Sequence, residues 1–290
     1  MPRKALKMTD EKIAKMIAEG RGQGEGANYC PFIQIGDFSN QGRGHRIQDH
    51  ITGRVHHLLS DLEANYYWIV AWSDEVIDIR EQYPLLPREE TERIAAELGV
   101  THPRSIGCSN NAVMTTDMLL TVRDANGIHL EARYIKYEKD LQDAHVCEKE
   151  AIERKFWENR GILYKIVTEK SIHLTKSKNI EFLLKHFQFP MINGIQQTQS
   201  FELYEELIDI IQNNPYLRLG EIGARLDREN GLKQGSGFTI MLYFAAHKTI
   251  PMILDRERIM GTTIADQVID YSKPLFVYER DGETSYADHA

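Results

Sequence analysis

Apolar and polar positions change period several times along this chain, and the changes mark out its elements. Val113 to Val122 is apolar and β-branched enough for a strand. Asp124-Ala125-Asn126-Gly127 is turn chemistry, with Asn-Gly suited to the positive φ angles of a hairpin. Ile128 to Lys136 returns as the second strand. Before the hairpin, Thr9 to Ala18 predicts a short amphipathic helix, capped by Thr9 or Asp10, with Ile13, Met16 and Ile17 on one face. Val55 to Trp72 predicts a longer one, because Leu58, Leu59, Leu62, Tyr66 and Ile69 recur at helical spacing. Glu63 borders its apolar face. Val76 to Leu86 reads as a strand, Arg88 to Leu98 as a helix, and Gly99 to Asn111 as a loop. After the hairpin come a charged helix from about Leu141 to Asn159, ended by Gly161, and a strand from Ile162 to Thr168. This order predicts an α/β fold, one sheet with helices packed on it.

The pattern shifts near residue 188. Residues 189–200 are polar with breakers and read as a linker. Beyond them, Phe201–Ile211, Tyr216–Leu226 and Phe238–His247 read as helices, followed by a β-like segment around Ile250–Ile264. Three short helices and a β wing predict a mostly helical, winged-helix-like domain over 201–280, after a first domain spanning 1–188. The tail from Asp281 is polar and reads as disordered.

Composition narrows the class without choosing the function. Hydrophobic residues make up 42% of the 290, ordinary for a globular chain. No apolar run approaches the ~20 residues of a membrane span. The charged start, Met1-Pro2-Arg3-Lys4, is unlike a secretion signal, so a cytoplasmic protein is expected, with no membrane partner. Cys30, Cys108 and Cys147 are too scattered for a disulfide framework or a cysteine zinc site. Net charge is −8, yet the first sixty residues carry a positive surplus and the rest a larger negative one. A nucleic-acid enzyme needs only a local basic surface, and metal ligands are themselves acidic.

The candidate chemistry lies in charges placed where strands should be apolar. Asp117 sits mid-strand and Lys136 ends the strand that returns beside it, so the two can meet. Neither belongs in a buried strand without a partner. With Glu63, they make a set able to hold Mg²⁺ and hydrolyse a phosphodiester. The hard oxygens bind the ion, and the lysine stabilises negative charge on phosphate or helps deprotonate water. The bland alternative is an edge aspartate and a wet lysine. Gly20-Arg21-Gly22-Gln23-Gly24-Glu25-Gly26 reads as a loop, or as bare backbone and an arginine laid against DNA. Arg43, Arg46 and Arg54, in segments also rich in Gly and His, read either as solvated loop residues or as phosphate contacts.

Three stretches then carry a resemblance. Gly53 to Glu63 (GRVHHLLSDLE), Asp78 to Pro87 (DIREQYPLLP) and Thr115-Thr116-Asp117 resemble TnsA, the endonuclease family of heteromeric, cut-and-paste transposases of seven-type transposons. Gly20–Gly24 and Gly42–Ile47 resemble the same family's N-terminal region. The resemblance implies a restriction-endonuclease-like core, a mixed sheet flanked by helices, using Mg²⁺ with Mn²⁺ as a substitute. It implies a DNA endonuclease that cuts the 5′ ends of the transposon, beside a TnsB-type transposase and a TnsC-type ATP-dependent regulator. Glu63, Asp117 and Lys136 match the family's catalytic positions. Two residues before the lysine, where the family usually has a polar side chain, this chain has Tyr134, a poor Mg²⁺ ligand. The backbone carbonyl of Ile135 remains available. Tyr134 leaves a second reading open: a non-catalytic scaffold bridging transposase, regulator and DNA.

Overall fold

The computed structural model describes residues 8–37, 43–105, 107–188 and 200–273. The charged start, Gln41 and Gly42 of the arginine segment, the linker and the polar tail lie outside or largely outside these. Contacts divide the chain into two units, Met1–Ile172 and His173–Ala290, so the division falls before the composition change near 188.

In the first unit, α1 (Asp10–Ala18) is capped by Thr9, whose hydroxyl accepts from Lys12 N, and it buries Ile13 and Met16. Strands β1 (His45–Gln48) and β2 (Val55–Leu58) pair antiparallel. The single helix expected over 55–72 is therefore a strand followed by α2 (Asp61–Ala71). Two features override the helical spacing. Val55 and His57 face outward while His56 and Leu58 are wholly buried, a period of two. Ser60 then starts the helix, its hydroxyl accepting from Glu63 N at 3.1 Å.

Strands β3 (Val76–Pro84), β4 (Thr115–Asp124), β5 (Gly127–Ile135) and β6 (Leu163–Val167) form one sheet in that order. The first three run antiparallel; β5 and β6 are parallel, joined through α4 (Ala144–Glu158). In the hairpin turn only Gly127 takes a positive φ (101°), and Asp124 accepts from Asn126 N at 2.7 Å. Helix α4 starts later than expected because the Asp143 carboxylate caps it, accepting from His145 N and Val146 N. Helices α3 (Arg88–Leu98) and α4 pack on one face of the sheet, over Leu119 and Ala132, with Ile94, Ile152, Phe156 and Trp157 in the core.

The second unit is helical: α5 (Leu174–Leu184), α6 (Ser200–Asn213), α7 (Leu219–Asn230), α8 (Ser236–Ala246) and α9 (Ala265–Val268). Helices α7 and α8 approach so closely that a Cβ on Gly223 would sit 2.4 Å from Phe238 N. The β wing does not form among the described residues. The segment makes only isolated bridges, Arg218↔Ile264 and Met252↔Ile269. Its backbone is held instead by the buried Asn179 of α5, which donates to the carbonyls of Leu254 (2.9 Å) and Glu257 (2.7 Å) and accepts from Ile259 N (3.0 Å). Those bonds explain why α5 belongs to this unit. Among the described residues no helix is long and apolar enough to cross a membrane.

Candidate active site

Strands β4 and β5 pair from Asp124↔Gly127 as far as Met118↔Arg133 and then part, while β5, already paired with β6 from Glu131, stays paired with it as far as Ile135. The Ile135 N–H, which the β4 ladder no longer uses, donates to Asp117 Oδ2 at 2.7 Å. A cavity of about 310 Å³ opens in the fork, lined by Glu63, Gln82, Asp117, Tyr134, Ile135, Lys136 and Lys149 among others. Glu63 enters it from the first turn of α2. Its carboxylate accepts from Ser60 Oγ (2.8 Å), Leu59 N (3.0 Å) and, more weakly, Gln82 Nε2 (3.4 Å). The structure therefore gathers Glu63, Asp117, Lys136 and Ile135 in one place. Lys136 falls one residue past the end of β5, its N–H donating to the carbonyl of Val167 at 3.0 Å.

Both carboxylates are held above their ordinary ionisation range. Burial is the main cause for Glu63, with Asp117 second, and together they push it up to about 8. Burial also raises Asp117, against the Ile135 N–H, Lys149 and Lys136, which pull the other way. A third carboxylate, Glu153 of α4, is fully buried with neither oxygen hydrogen-bonded, and burial and Asp117 raise it well above its usual value. Carboxyl groups thus crowd here without a matching buried cation, and burial drives them toward their neutral forms. Lys136 and Lys149 make no ion pair among the described residues. No cluster of three His, Cys, Asp or Glu side chains is gathered for a metal among the described residues. The set fits Mg²⁺ nonetheless, since two hard carboxylates suffice for an ion that keeps several waters. Asp117 and Glu63, with the Ile135 carbonyl, would hold it. Lys149 and Glu153 escaped the sequence reading, though their i, i+4 spacing puts them on one helix face. Gln82 lies within the Asp78–Pro87 stretch, but nothing in the sequence assigns it a part of its own.

The four arginines expected on DNA separate into two pairs. Arg43 and Arg46 are exposed. Arg21 is not free for phosphate: it pairs with Asp37 and donates to the Phe32 carbonyl at 3.3 Å. The glycine loop around it packs inward, and a Cβ on Gly22 would lie 2.2 Å from Pro84. Arg54 is internal too, donating to Glu81 Oε1 (2.8 Å) and the Ile79 carbonyl (2.6 Å), with its guanidinium over the Tyr29 ring at 5.0 Å. Glu81 also bonds His56 Nδ1 at 2.8 Å. Burial works against its charge, yet Arg54 and then His56 hold it down to about 2. His56 and His57, on a strand, point to opposite faces; His57 accepts from Ile35 N at 3.3 Å.

A mixed four-stranded sheet flanked by helices, with carboxylates and a lysine in the fork of its strands, is a restriction-endonuclease-like core, here followed by a helical C-terminal unit. The model for a TnsA-like endonuclease N terminal matches residues 73–169, and that for a TnsA endonuclease C terminal matches 171–252. They meet where the structure divides into its two units. The chain belongs to the TnsA family. It is 42% identical over 175 residues to the Transposon Tn7 transposition protein TnsA of Escherichia coli, covering 60% of this chain and 63% of that protein. The match thus spans less than two thirds of that relative's length. Asp117, Lys136, Lys149 and Glu153 fall within the N-terminal family match; Glu63 precedes it.

Proposed function

We propose that this chain is a Mg²⁺-dependent DNA endonuclease, the transposase subunit that cuts the 5′ ends of a transposon. The observation that carries the reading is the buried Glu63 and the half-buried Asp117 facing one cavity beside two lysines that make no ion pair among the described residues. Bound there, Mg²⁺ supplies Lewis-acid polarisation of the phosphate and a more acidic water. Asp117 and Glu63 hold and orient that centre. Lys136 and Lys149 place ammonium groups where a phosphate oxygen gains charge as the P–O bond breaks. Arg43 and Arg46 remain for contact with flanking phosphates. Cleavage of transposon-end DNA, with and without a TnsB-type partner and Mg²⁺ or Mn²⁺, tests the proposal. Lys136→Ala is expected to leave metal binding intact and slow cutting ~10²-fold or more.

One observation favours the scaffold reading. Tyr134 is buried at the cavity wall, and burial and Asp117 raise its phenol, so it stays neutral and offers little to Mg²⁺. A wild-type chain that binds no metal and cuts nothing with its partner, while Tyr134→Gln cuts, would establish that reading instead.

The second unit is assigned to partner binding, as the dock for the TnsC-type regulator. Deleting 173–290 should abolish co-purification with the regulator while the first unit keeps its sheet by circular dichroism. Full-affinity capture by the remaining core would refute the assignment.

A further inference from the structure

Gln82 is the residue of β3 whose backbone takes a positive φ. Its φ is +48°, one of two positive values at non-glycine residues among those described. The register places it between the pairs Glu81↔Met118 and Tyr83↔Thr116, opposite Asp117. Its backbone carbonyl accepts from Phe32 N at 3.3 Å, and its side chain turns into the cavity. There the carboxamide is buried and used at both ends. Its oxygen accepts from Thr115 Oγ1 at 3.0 Å, and its nitrogen donates to Glu63 Oε2 at 3.4 Å. Thr115 begins β4, two residues before Asp117. The contacts therefore run from the strand that bears Asp117, through Gln82, to the helix that bears Glu63.

We propose that Gln82 is a positioning residue of this site: its carboxamide, held by Thr115, ties Glu63 to the Asp117 strand and sets the spacing of the two carboxylates. A carboxamide suits this place because it donates and accepts without adding charge to a site already crowded with carboxylates. A non-glycine residue held at positive φ is strained, and such strain persists only where surrounding contacts impose it. Here the Phe32 and Thr115 bonds impose it, and the result is a fixed amide aimed at a helix-borne carboxylate. Spacing matters because a metal held by two carboxylates from different elements is bound only as well as those elements are kept in register. The inference rests on the nuclease reading for the identity of the ion, though not for the geometry.

Three full-length variants test it: Gln82→Gly, Gln82→Ala and Thr115→Val. Glycine removes the side chain and relieves the positive φ; alanine removes the same side chain and keeps the strain. In chelator, Gln82→Gly is expected to melt at or above the wild-type temperature and Gln82→Ala several degrees lower. Mn²⁺ titration by calorimetry should nevertheless show the same loss in both, about tenfold or more in Kd, in line with losses on removing groups that orient metal ligands. Thr115→Val should weaken Mn²⁺ binding a few-fold, and add nothing when combined with Gln82→Gly, because both act through one amide. Affinity losses that track melting temperature would mean a merely structural role and overturn the proposal. Unchanged Mn²⁺ affinity in Gln82→Gly, with wild-type uptake normal, would overturn it and leave the nuclease reading standing. A wild-type chain that takes up no Mn²⁺ would overturn both.

Discussion

Replacing Asp117 with Asn is expected to yield a metal-free protein more stable than wild type at about pH 8, which neither binds Mg²⁺ nor cuts DNA. Asparagine keeps an oxygen to accept from the Ile135 N–H, so the fork between β4 and β5 survives. What disappears is the repulsion between two carboxylates that share one cavity. Relieving it is expected to favour the neutral variant by about 1 kcal/mol, since a shift of one pKa unit corresponds to about 1.4 kcal/mol, while cutting falls by ~10³-fold or more. The pH dependence gives a second handle. Glu63 is raised from 4.5 to about 8 in the fold. The folded chain thus keeps a proton that the unfolded chain releases. This group's contribution is greatest below its unfolded value and is lost as pH rises through about 8. With Asp117 neutralised, Glu63 should come down only part of the way, because burial, the larger cause, remains, and that decline should become shallower. Thermal melts in chelator from about pH 5 to about pH 9 measure both effects. A variant less stable than wild type, with the same pH slope, would show that the two carboxylates do not feel each other.

Arg54→Ala should unfold the first unit rather than weaken its grip on DNA. The change leaves Glu81, which is wholly buried, without its main cation. Removing one partner of a buried pair costs about 3–5 kcal/mol. Arg54→Lys should recover only part, since an ammonium cannot reproduce the guanidinium's simultaneous bonds to Glu81 and the Ile79 carbonyl. Arg46→Ala is the contrast: stability unchanged, and a log–log salt slope of DNA binding shallower by about one. Melting curves and salt titrations on the two variants would separate these roles. Should Arg54→Ala melt like wild type and lose the salt slope, Arg54 contacts phosphate after all.

The sheet was legible because its strands are long, β-branched and separated by turn residues. The same holds for Asp117 and Lys136, whose charges stood out against apolar surroundings. The segment 55–72 misled because Leu58, Leu59 and Leu62 satisfy a helical period by accident of a strand leading directly into a helix, and Ser60 marks the joint. The wing failed for a different reason. Ile250–Ile264 has β-like composition, but its backbone partners are the side chain of Asn179 and isolated bridges, and no window around the segment reveals a partner so distant. Arg21 and Arg54 looked like surface charges because their acids, Asp37 and Glu81, are remote in sequence and meet them only in the fold. Gln82 lay within a stretch that carried the resemblance, but its part stayed hidden because it depends on a backbone angle, which composition does not encode.

The parallel crossover through α4 has a consequence for when the cavity becomes complete. Glu63, Gln82, Asp117 and Lys136 all precede α4 in the chain and are synthesised before it. Lys149 and Glu153 arrive with that helix, and β6, which pairs with β5 as far as Ile135, follows it. Long-range parallel pairing of this kind forms slowly. A growing chain therefore carries Glu63 and Asp117 for some time without Lys149, the α4 side chain that lines their cavity. On the nuclease reading, the site is complete only once the crossover has folded, so cutting is expected to appear late as the chain folds.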